Sequence, residues 1–112
     1  MQALEVEVDK SRHAIKIGDE TLFLEGNACR QYRIESNPSF GGNVQIQIHY
    51  FYPRGMENAA RPSCKRDERE LSWALNNSKY KNRIKLVQSN DSELPQLNVI
   101  VQGPIKSYRL AG

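Results

Sequence analysis

The sequence predicts a mainly β protein: a small antiparallel β-barrel or β-sandwich of about seven or eight strands with one short inserted helix. Three observations carry that prediction. Val44, Ile46, Ile48, Tyr50 and Tyr52 alternate with Gln45, Gln47, His49 and Phe51, the period of a strand with one face to a core and one to water. Four shorter stretches of the same kind precede it, each separated from the next by a turn signal, with no room for the crossover helices of a parallel sheet. Only residues 67–76 carry helical spacing.

The elements follow in order. Leu4, Val6 and Val8 alternate with Glu5, Glu7 and Asp9, giving a strand with an apolar and an acidic face. After the polar link Lys10-Ser11-Arg12, Ile15 and Ile17 resume the alternation. Gly18-Asp19 then suits a type II′ hairpin turn into the strand 21–25, since Gly supplies the positive φ. Gly26-Asn27 marks another turn. In 29–35, Arg30, Tyr32 and Ile34 share one face and Gln31, Arg33 and Glu35 the other. The loop 36–42 leads into the long strand, which Gly41-Gly42 opens and Pro53-Arg54-Gly55 closes.

Residues 54–63 lack periodicity and read as an exposed loop. Asp67 followed by Glu70 reads as an N-cap with an acid three residues on, and Leu71, Ala74 and Leu75 continue at helical spacing to Asn76-Asn77. Trp73, on that helix, is expected in the core. Strands return at 83–88, 97–102 and 105–110, with a polar loop over 89–95 and a tight turn or sheet edge at Gly103-Pro104. No repeat or composition shift divides the chain, so residues 1–112 are expected to form a single β-rich domain.

Apolar residues make up 38% of the chain and charged residues 26%, as in soluble globular proteins. No stretch approaches the ~20 apolar residues that span a bilayer, so no membrane association is expected. Nothing at the N-terminus reads as a leader. The sequence is therefore read as cytoplasmic, although a secreted protein whose signal peptide has been removed would read the same way. The net charge of +3 and pI near 9.0 say little about partners. Their distribution says more: Lys79, Lys81, Arg83 and Lys85 crowd into seven residues without an acid, whereas the first 25 residues hold six acids. Cys29 and Cys64 have no Cys-x-x-Cys or histidine spacing for a metal. Two reduced thiols are expected, a single disulfide being the alternative in an oxidising compartment.

No nucleophile elbow, phosphate-binding glycine loop, dinucleotide fingerprint or His/Glu metal pair occurs. The expectation is a protein that is not an enzyme, with no cofactor and no metal. What remains is recognition. Aromatic and arginine side chains dominate interface energetics, and His49, Phe51, Tyr52 and Arg54 gather such groups at one strand end. Together with the adjoining 54–66 loop, they are the expected contact for a protein partner. The alternative is single-stranded nucleic acid on Lys79, Tyr80, Lys81, Arg83 and Lys85, with bases stacking on the aromatic and cations following phosphates. Oligomeric state is not legible.

Overall fold

The computed structural model describes residues 2–26, 28–37, 42–89 and 94–112. Eight strands alternate with turns: β1 (Leu4–Asp9), β2 (Ala14–Ile17), β3 (Glu20–Phe23), β4 (Arg30–Asn37), β5 (Asn43–Tyr50), β6 (Ile84–Ser89), β7 (Gln96–Val101) and β8 (Ile105–Ala111), with one helix, α1 (Ala60–Asn76), between β5 and β6. They form two four-stranded sheets, ordered β3-β2-β1-β8 and β4-β5-β7-β6. The arrangement is a sandwich and not a closed barrel.

Alternation does the sorting. Every second residue of β5, from Val44 to Tyr50, is buried, and β1 buries Leu4, Val6 and Val8 in the same rhythm. Ile17 pairs with Glu20 across Gly18-Asp19, and Gly18 has φ +61, as that two-residue turn requires. Apolar side chains from both sheets and from Ala60, Cys64, Leu71 and Leu75 of α1 meet in one core cluster.

The pairings are antiparallel except one: β8 lies parallel to β1, Val6 opposite Tyr108 and Val8 opposite Leu110. The first and last strands are joined through the whole of the second sheet, so no hairpin dictates their direction. That long-range partnership has no local signature.

The helix also departs from expectation. It starts at Ala60, seven residues before Asp67, after a 3-10 turn at Glu57–Ala59. Pro62 is tolerated because first-turn N–H groups have no intrahelical acceptor. Ala60, Cys64, Asp67, Leu71 and Leu75 make one buried row, but the charged member interrupts its apolar signature. Asp67 is thus no cap; it sits buried in mid-helix. Trp73, expected inside, is 72% exposed. At about 100° per residue it falls some 200° from both Leu71 and Leu75, which hold the inner face. No helix is long and apolar enough to cross a membrane among the described residues.

Candidate functional site

The aromatic end of β5 splits as strand geometry dictates. Tyr50 points into the core and is fully buried, its hydroxyl donating to Asp67 Oδ2 at 2.7 Å. Phe51 points the other way and is 47% exposed, while its N–H donates to the Cys29 carbonyl at 3.2 Å. Tyr52 turns back against the core, and its hydroxyl shares a 2.6 Å hydrogen bond with Ser63 Oγ of α1. Arg54 is exposed on the turn that follows. His49 lies on the outer face, opposite Gln31 on one side and Gln96 on the other. Partial burial and the nearby Arg33 hold its pKa below the usual value, and its Nε2 makes no hydrogen bond among the described residues.

Beneath this end runs a charged network without an exposed side-chain surface. Arg30 of β4 meets Asp67 of α1 through Nε–Oδ2 at 2.7 Å and Nη2–Oδ1 at 2.9 Å, both side chains 0% exposed. Arg30 Nη2 also donates to the Glu25 carbonyl at 2.7 Å. The carboxylate therefore accepts three hydrogen bonds, counting the one from Tyr50, which work against the cost of taking both charges out of water, while Arg30 Nη1 is buried without a partner among the described residues. Burial works against the guanidinium charge, yet Asp67 outweighs it and the Arg30 pKa is raised. Tyr32, two residues along the inner face of β4, shares a 2.7 Å hydrogen bond with His13 Nδ1. Burial pushes its hydroxyl up to about 12. The network locks β4, β5 and α1 to one another at the base of the exposed Phe51.

Phe51, Lys10, Arg30, Gln31 and Tyr32 line a surface groove of about 460 Å³. Three of these are consecutive residues of β4, which among the described residues pairs with β5 alone and is an edge strand of its sheet. The groove thus lies at an edge strand of its sheet, with an aromatic ring and an exposed lysine in its walls.

The basic segment is used differently. Tyr80 is buried, its ring against Gly18 and its hydroxyl donating to Asp19 Oδ1 at 2.8 Å. Lys79 pairs with Asp19 Oδ2 at 2.5 Å. Arg83 donates to the carbonyls of Gln2, Gln102 and Pro104 at 2.7–3.3 Å, tying the start of the chain to the β7–β8 turn. Lys81 and Lys85 face solvent and form no ion pair among the described residues. No hydrogen bond, ion pair or ring contact joins this segment to the Phe51 end among the described residues.

Both cysteines are free, and burial pushes the Cys64 thiol up to about 11, the opposite of an activated thiolate. No group of three potential metal ligands occurs among the described residues. The sequence reading missed the Arg30–Asp67 pair, although each residue stood on the core phase of its element: Arg30 with Tyr32 and Ile34, Asp67 in the row of Cys64 and Leu71. Opposite charges on two inward phases are the signal of a buried pair.

Fold and site together define a two-sheet sandwich with an inserted helix and a groove at one strand edge. Compared with protein-family models, with curated proteins and with solved structures, the chain matches none.

Proposed function

We propose that this protein is a non-catalytic binding module that receives an extended segment of a protein partner in the groove beside Phe51. The observation that carries this reading is the half-exposed Phe51 ring in one groove with Arg30, Gln31 and Tyr32 of the edge strand β4. A strand added at such an edge gains affinity from main-chain hydrogen bonds and specificity from side-chain pockets. Phe51 supplies the aromatic anchor, and Lys10 favours an acidic side chain on the incoming segment. Arg54 and His49 flank the ring on the adjoining turn and outer face. Tyr52, held by Ser63, acts as a strut beneath it.

Single-stranded nucleic acid on the 79–85 segment is the lesser reading, because Tyr80 is buried and Arg83 already spends its donors on three carbonyls. Capture from native extract, with and without nuclease, separates the two. Proteins that survive nuclease and are lost on Phe51→Ser support the module reading. A set of captured proteins identical for wild type and Phe51→Ser would end it.

A further inference from the structure

Outside the buried row of α1, Arg61, Lys65, Arg69 and Trp73 follow one another at intervals of four residues, all exposed. Side chains so spaced stack along one side of a helix, about 6 Å apart by its rise. None of the three cations takes part in an ion pair or hydrogen bond among the described residues. The helix's acids stand elsewhere: Asp67 is buried under Arg30, and Glu68 and Glu70 are half-buried on the flanks of the row. Like charges four residues apart repel and mildly destabilise a helix, so the succession of cations is not itself a source of folding stability. Nor does folding gain from a tryptophan left 72% exposed.

We propose that this face of α1 is a binding site for single-stranded nucleic acid, with Arg61, Lys65 and Arg69 following consecutive phosphates and Trp73 stacking on a base. A linear run of cations that ends in a flat aromatic matches a polymer that repeats a negative charge and carries planar rings. An anionic membrane fits less well, because interfacial helices insert an apolar face and that of α1 is spent in the core. An acidic peptide would satisfy the charges but gives Trp73 nothing planar by necessity. The site is independent of the groove at Phe51, and neither depends on the other.

Trp73 is the chain's single tryptophan, so its fluorescence reports on this site alone. The test titrates the full chain with dye-labelled oligo(dT) of about 20 nucleotides, following anisotropy and tryptophan emission. Binding with quenching is expected, and its log–log salt slope should be roughly −2 for three phosphates, or about 20-fold weaker binding at 200 than at 50 mM salt. Trp73→Ala should cost roughly 5- to 150-fold. Arg61→Gln/Lys65→Gln/Arg69→Gln should nearly abolish the slope. Lys16→Gln/Lys106→Gln, which removes two exposed cations elsewhere, should leave affinity within about twofold after adjustment for net charge. All these positions are exposed, and unchanged thermal midpoints would show intact folding. The proposal is overturned by absence of binding at low salt, by binding without quenching, or by equal losses in the two charge variants. Equally tight binding of polyglutamate or phosphatidylserine vesicles would also overturn it.

Discussion

Asp67 in the middle of α1 and Arg30 at the start of β4 form a bidentate pair at 2.7 and 2.9 Å with no side-chain surface left to solvent. Breaking such a pair from one side leaves an uncompensated buried charge, which typically costs about 3–5 kcal/mol, whereas replacing both partners with apolar residues of similar volume can be neutral. Asp67→Leu and Arg30→Met should therefore each lower the urea midpoint sharply, and the double variant should recover most of the loss. Additive losses in a double-mutant cycle would contradict the coupling.

The histidines give a pH dependence of definite sign. Partial burial and Arg30 hold His13 below its ordinary pKa of 6.5, Asp67 opposing them, and burial with Arg33 does the same for His49. The unfolded chain therefore binds more protons than the folded one just below pH 6.5, so stability falls as pH drops through that region and on towards the lower folded values. Urea midpoints between pH 7 and 5 should decline. His13→Asn, whose residue tolerates the observed φ of +50, should flatten that decline. A midpoint that rises on acidification would contradict the assignment. At the other extreme, the buried Tyr32 hydroxyl, raised to about 12, contributes stability present below pH 10 and lost as pH climbs through 12.

What the sequence made legible follows from local physics. Alternation in β1, β4 and β5 and the Gly18-Asp19 turn are rules of neighbouring residues, and the structure keeps each of them. The parallel β1–β8 pairing joins residues about a hundred positions apart, beyond any local pattern. The first two turns of α1 were hidden because Pro62 suggested a loop and Asp67 a cap. Tyr80 stood among cations and read as a surface aromatic; its burial depends on the β2–β3 turn folding over it, and only tertiary structure supplies that. Phe51 and His49 lay on the outward phase by simple parity and Arg54 beyond Pro53 on the turn, while the groove that Lys10 and β4 complete could not be read from one strand.

Leu71 and Trp73, two residues apart on α1, should behave oppositely. Leu71 is 2% exposed, and truncating a buried leucine to alanine costs about 2–5 kcal/mol. Trp73 is largely in water, and surface changes of that kind stay within about 0.5 kcal/mol. Thermal or urea unfolding of Leu71→Ala and Trp73→Ala would check the ranking, and an equal loss in both would place Trp73 in a contact the structure does not have.

Partner binding at the Phe51 groove should separate contact from support. Truncating an aromatic anchor costs about 2 kcal/mol or more of binding free energy, so Phe51→Ala should weaken the partner's affinity at least about 30-fold while leaving the unfolding midpoint nearly unchanged. Tyr52→Phe removes only the 2.6 Å bond to Ser63; it should cost about 0.5–1.5 kcal/mol of stability and little affinity. Lys10→Glu reverses a charge in the groove wall, and should slow association and reduce its salt dependence more than it speeds dissociation. Surface plasmon resonance on an identified partner resolves these as separate rates. Unchanged affinity on Phe51→Ala, combined with a large loss on Tyr52→Phe, would mean that the partner reads the position of α1 and not the exposed ring.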